Sequence, residues 1–283
     1  MTAATDTGLR VELIRSLGAV AHTPPPESGL LFDALGLPTL TGAAYTRAFV
    51  LSAPPHAAIH LGPDGKLGGI GLDRVEGFWR AAGQHPPADA DHLGVLLMCY
   101  ADVRGQIRSP GAHRIAESLF HEHIWPWAPG YLQAVSLLGD DAVTQWAQLT
   151  MAVLDDEYGR LTPPDPLTLP LALREAPAPV AIDDDFEDLL DALVSPVRAG
   201  FVLTHHTLSC GAAAVGVGYR RGERRFALKA MLDQDKSATL TWLSTHAHDW
   251  ARWRATRDDA ASRWWETRAD ATADALNEMR GNP

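Results

Sequence analysis

Apolar residues recur at intervals of three and four through most of this chain, and almost nowhere at intervals of two. That period puts them on one side of an α-helix and leaves little from which to build a sheet. Leu9, Leu13, Ile14 and Leu17 form one such set, with Thr7 placed to cap it. Thr41 stands ahead of Tyr45 and Phe49, which are four apart and so share a face. Asp73 precedes Val75, Phe78, Trp79 and Ala82, with Gly83 as a stop. Either Asp89 or Asp91 can cap a helix through Leu93, Leu96, Leu97, Tyr100 and Val103. Ser109-Pro110 opens a helix that must stop before Pro126, and another runs over 129–138. Asp140-Asp141 starts a long helix through Val143, Ala147, Leu154 and Tyr158 to Gly159. Only the short region from Ile59 to Ile70 alternates in the manner of a strand.

Prolines and glycines divide these helices into groups. Ala53-Pro54-Pro55-His56 cannot be helical at its prolines, and Pro63-Asp64-Gly65-Lys66 is a turn followed by Gly68, Gly69 and Gly71. Pro163, Pro164, Pro166, Pro170, Pro177 and Pro179 make residues 160–182 an extended linker. Beyond it, Asp183-Asp184-Asp185 suits a helix N-terminus, Ser195-Pro196 begins another helix, and Thr204 or Thr207 caps one through Cys210 to Val215. Two long helices follow, Glu223–Leu232 and Ser237–Arg254. The expected organisation is a helical bundle over 1–159, the linker, further helices over 183–257 packing on the bundle, and a helical or loose tail over 258–283 that lacks an apolar stripe. The fold class is all-α.

At 283 residues the chain is long enough for a sizeable core. Its formal charge of −11 argues against a nucleic-acid partner and suits a basic one. Cys99 and Cys210 lie in apolar helical sequence and read as small buried hydrophobes, with no disulfide framework. No apolar run reaches membrane-spanning length and the N-terminus does not read as a signal peptide, so the expected location is the cytoplasm.

Few residues are arranged for bond-breaking chemistry. His121-x-His123 and His246-x-His248 have helical positions about 200° apart, a poor bidentate spacing, and no His-Glu-x-x-His run occurs. A metalloenzyme using His121 and His123 is therefore a minor alternative. No nucleophile elbow or P-loop is present, and no motif calls for a bound cofactor. Asp91-His92 can be an acid/base pair or, more simply, a helix cap beside a hydrogen-bonding histidine. Around it stand Tyr45, Phe49, Trp79, Trp125 and Trp127 and the Pro54-Pro55-His56 loop. Trp125-Pro126-Trp127 falls at a helix break, where its rings are expected to be partly exposed. Flat apolar rings beside hydrogen-bonding groups suit an extended peptide.

Three stretches in this order carry a family resemblance: Ala44-Tyr45-Thr46-Arg47-Ala48-Phe49-Val50 with Pro54-Pro55, Asp91-His92-Leu93-Gly94 with Leu96-Leu97-Met98, and His123-Ile124-Trp125-Pro126-Trp127. The chain resembles the TorD/DmsD family of molybdoenzyme-specific chaperones, related to the NarJ group, most closely over residues 40 to 140. It departs from the family pattern at Ala88-Asp89, where a Glu-Pro precedes the Asp-His pair, at His56, where an aromatic is expected, and at Ala48. The resemblance implies an all-helical bundle with an additional C-terminal helical region. It also implies a cytoplasmic, non-catalytic chaperone that binds the twin-arginine signal peptide and apo-form of a molybdopterin oxidoreductase. The implied peptide-binding residues are Tyr45, Phe49, Pro55, His56, Asp91 and His92, with Trp127 beside them. A NarJ-like assembly factor for a nitrate-reductase-type catalytic subunit is the alternative, and monomer and helix-swapped homodimer both stay open.

Overall fold

The computed structural model describes residues 2–106, 110–161 and 168–281. Among them lie sixteen α-helices and two π-helical segments, and the sole β-pairing is an isolated antiparallel bridge between His56 and His92. The chain is all-α, as the periodicity requires. Ile59–Ile70 is not a strand: Ile59 lies in a helix over Ala57–Leu61 and Ile70 in a helix over Gly69–Ala81. Two compact units emerge, residues 1–58 with 67–165 and residues 59–66 with 166–283.

The first unit is organised around the helices Thr2–His22 and Leu93–Gly105. They cross at two glycines. A Cβ on Gly18 would lie 2.7 Å from the Gly94 carbonyl oxygen, and one on Gly94 2.5 Å from that of Gly18. Only backbones without side chains approach so closely. Leu93–Gly105 buries residues around most of its circumference at its N-terminal end (Leu93, Gly94, Val95, Leu96 and Leu97), which explains its unbroken apolar sequence. In Thr2–His22 the buried face is Val11, Ile14, Leu17 and Ala21, while Leu9 is exposed. Thr7 falls inside this helix instead of capping it. Ser109 lies outside the described residues, and the next helix is Pro110–Ser118. Ala128–Ser136 and Asp141–Arg160 form a helical hairpin, with Asp140 accepting the Val143 N–H. Trp146, fully buried, donates its indole N–H to the Leu17 carbonyl at 3.1 Å. Glu157, also buried, takes the Tyr100 hydroxyl and the Arg104 guanidinium, so its charge is partnered inside the unit.

In the second unit Asp185 caps Phe186–Val194 by accepting the Glu187 and Asp188 N–H groups, and Thr204 caps His205–Val215 through the Thr207 N–H. Cys210 is exposed: this helix buries Leu208, Gly211 and Ala212, and Cys210 faces away from them, 3.5 Å from His206. Lys236–Ala255 and Ala260–Gly281 make the most extensive helix pair of the unit. The tail is thus a packed helix. Its stripe is Ala261, Trp265, Ala269, Ala273 and Leu276, built mostly from alanine and so invisible to a search for large apolar residues. Gly200, at φ +84°, approaches this stripe so closely that a Cβ would sit 2.3 Å from the Ala269 nitrogen.

Candidate functional site

The Pro54-Pro55-His56 loop and the start of the Leu93–Gly105 helix are joined through both backbone and side chains. The Leu93 N–H donates to the Pro55 carbonyl at 2.7 Å, and the Ala57 N–H to the Asp91 carbonyl at 2.9 Å. These two bonds flank the His56–His92 bridge. Between them the Asp91 carboxylate accepts the Ala58 N–H at 2.9 Å on one oxygen and meets His56 Nδ1 at 3.1 Å on the other. The Ala58 N–H is one of the orphan donors in the first turn of Ala57–Leu61. Asp91 therefore does cap a helix, but one that lies 33 residues earlier in the chain.

His92 is the N-cap of the following helix. Its Nδ1 accepts the Gly94 N–H at 3.0 Å, which places the ring proton on Nε2. Asp89 makes the turn ahead of it, at φ +51°, with its carbonyl accepting the His92 N–H at 2.8 Å. His92 meets His56 edge to face at 5.0 Å and His22 at 5.2 Å. Burial, reinforced by the two neighbouring imidazoles, pushes His92 down to about 3, so it is neutral near pH 7. Burial also acts to raise the Asp91 carboxyl, but hydrogen bonds from His56 and the Ala58 N–H outweigh it and the group titrates below its ordinary value. An ionised Asp91 can only accept, so His56 Nδ1 must donate to it.

The aromatic residues expected at the site are packed in the core. Tyr45 is 8% exposed and donates its hydroxyl to the Ala21 carbonyl at 3.0 Å. Phe49 is 3% exposed, edge-on to Trp146 at 5.0 Å. Trp127, 1% exposed, donates its indole N–H to the His123 carbonyl at 2.8 Å. Trp125 stacks on Tyr158 at 4.3 Å, so the rings at the Pro126 break are buried rather than partly exposed. Pro55 is buried, and His56 keeps 19% of its side chain exposed. The structure thus brings Pro55, His56, Asp91 and His92 together and places Tyr45 and Phe49 in one ring cluster with Trp146.

Both π-helical segments lie in the stretches singled out from sequence. Thr46–Ser52 contains Phe49 and leads into the double proline, with the Ala53 N–H reaching back five residues to Ala48. Leu119–Ile124 ends at Trp125, whose N–H reaches Phe120 at 2.8 Å. Such wide turns are rare and favour functional places, but no residue pattern announces them. Val50 and Leu51, on the first of them, are more than half exposed.

His121 and His123 do not converge. His121 meets Tyr158 at 5.6 Å and His123 meets Phe78 at 4.8 Å, and no group of three or more potential ligands is placed to hold a metal among the described residues. No described helix is long and apolar enough to cross a membrane.

No curated protein significantly matches the chain. Residues 39–133 match the family described as nitrate reductase delta subunit. The match covers about a third of the chain and contains all seven expected site residues, so it is in this stretch that the protein is similar to that family.

Proposed function

We propose that this protein is a cytoplasmic chaperone that receives the catalytic subunit of a molybdopterin oxidoreductase before its cofactor is in place. The observation that carries the reading is the joined Pro55–His56 and Asp91–His92 segment, inside the stretch similar to the delta-subunit family. It is a polar segment cross-linked by hydrogen bonds, with one partly exposed imidazole, set in an acidic chain. A basic leader followed by an apolar segment is complementary to that surface. His56 meets the leader directly. Tyr45, Phe49, Pro55 and Trp127 are buried, and exposed Val50 and Leu51 offer apolar surface on the helix before the loop.

Two clients fit. One is an exported enzyme with a twin-arginine signal. The other is a nitrate-reductase-type subunit retained inside the cell, which the description of the matching family favours. Affinity purification of the tagged protein after anaerobic growth tests the proposal: a molybdopterin catalytic subunit is expected in the eluate. Calorimetric titration with that subunit's N-terminal peptide then separates the two clients. If the catalytic subunit is absent from the eluate and its leader gives no heat of binding, the proposal fails.

A further inference from the structure

Asp91 is the obvious partner for an arginine of a basic leader, but its side chain is 4% exposed and both oxygens are engaged within the protein. His56 differs. Its Nδ1 is committed to Asp91, so in the neutral ring Nε2 carries the lone pair, and that nitrogen has no hydrogen-bond partner among the described residues. The ring is partly exposed, and its backbone is fixed by the bonds flanking the bridge to His92. With the ring neutral, the ionised carboxylate behind it leaves the pair net negative. Such an acceptor favours a cationic donor.

We infer that His56 Nε2 is the acceptor for a guanidinium of the partner's basic leader, and that Asp91 acts through His56 by fixing its tautomer instead of meeting the peptide itself. This rests on the chaperone reading above and assigns the recognising atom within it. Asp91 is then a positioning residue.

Two variants separate this arrangement from direct recognition by Asp91. His56→Asn keeps an amide N–H where Nδ1 donates to Asp91, so the loop stays joined, but it removes the outward acceptor. Asp91→Asn keeps an acceptor for the Ala58 N–H and turns a donor toward Nδ1, which forces the proton onto Nε2. Nitrogen-15 NMR of the free protein reads the tautomer without any peptide. Nδ1–H is expected in the wild type and Nε2–H in Asp91→Asn. A wild-type ring protonated on Nε2 overturns the inference whether or not a peptide binds.

Calorimetry with a synthetic twin-arginine leader of a molybdopterin oxidoreductase supplies the second readout. Each variant is expected to weaken binding roughly tenfold, as for one lost hydrogen bond to a charged group, and the double variant no more than either alone. Replacing both arginines of the peptide by glutamine should abolish the difference between wild type and His56→Asn. Unchanged affinity in His56→Asn, or additive losses in the double variant, would overturn the inference while leaving the chaperone reading intact. No binding of this leader by the wild type would overturn the inference and exclude the exported client, while the chaperone reading with a retained nitrate-reductase-type client would stand.

Discussion

Removing the Asp91 carboxylate tests whether the joined loop depends on it. In Asp91→Ala the Ala58 N–H, on a fully buried residue, loses its partner. A buried donor left unpaired costs about 1–3 kcal/mol, and loss of the contact with His56 adds about 1 kcal/mol. In Asp91→Asn the amide oxygen still accepts from Ala58 and the amide N–H still reaches Nδ1, so the cost should stay within about 1 kcal/mol. The sharpest assay is exchange of the Ala58 amide hydrogen: protection should fall roughly a hundredfold in Asp91→Ala and little in Asp91→Asn. Acid supplies a second check. The folded carboxyl titrates below its unfolded counterpart, because the bonds from His56 and Ala58 outweigh the burial. Its contribution is therefore complete above about pH 4 and is lost as pH falls through the folded value, so the wild type's advantage over Asp91→Asn should narrow there. Equal protection of Ala58 in the two variants would refute the assignment of Asp91 as its cap.

Other consequences follow from the same packing. Burial holds folded His92 down at about 3, against about 6.5 in the unfolded chain, so folding is favoured above pH 6.5 and loses ground as pH falls toward 3. Between pH 6.5 and 5 the loss is about 2 kcal/mol, and His92→Asn, which can still cap the Gly94 N–H, should show a shallower pH dependence in urea unfolding; parallel curves would contradict the buried neutral imidazole. Gly94→Ala, despite better helix propensity, should destabilise the first unit by about 1–3 kcal/mol, because its Cβ meets the Gly18 carbonyl oxygen at 2.5 Å; a neutral result in thermal unfolding would mean that the helices part without cost. Trp265→Ala should cost about 3–5 kcal/mol through the cavity between the last two helices, and a tail that still resists proteolysis in this variant would show that the alanines alone hold it.

The helices were legible in the sequence because each brings its own period and often its own cap. Asp140, Asp185, Thr204 and Thr41 all accept the N–H groups expected of them. What stayed hidden depends on partners distant in sequence. Asp91 reads as the cap of the helix it precedes, yet it caps the helix beginning at Ala57, because His92 already occupies the nearer place. Leu9 sits at helical spacing and is exposed, since only the neighbouring helix decides which side is covered. The alanine stripe from Ala261 to Ala273 was unreadable for the opposite reason: small residues signal packing only when the opposing surface is known.

The same arrangement leaves Asp91 and His92 poorly placed for general acid/base work. General acid/base work needs a group poised to exchange protons near neutral pH, facing a reacting atom. Here Asp91 is held ionised with both oxygens occupied, and His92 is held neutral with Nδ1 capping the helix. What remains is one imidazole nitrogen on a loop fixed by four inter-segment hydrogen bonds: the two flanking backbone bonds and the two made by the Asp91 carboxylate. A fixed acceptor loses little freedom when a peptide docks, which favours binding. It also links recognition to folding: the hydrogen bonds that hold the His56 ring are those that cap Ala57–Leu61. A change that releases the loop should therefore reduce peptide affinity and Ala58 protection together, whereas His56→Asn should reduce affinity alone.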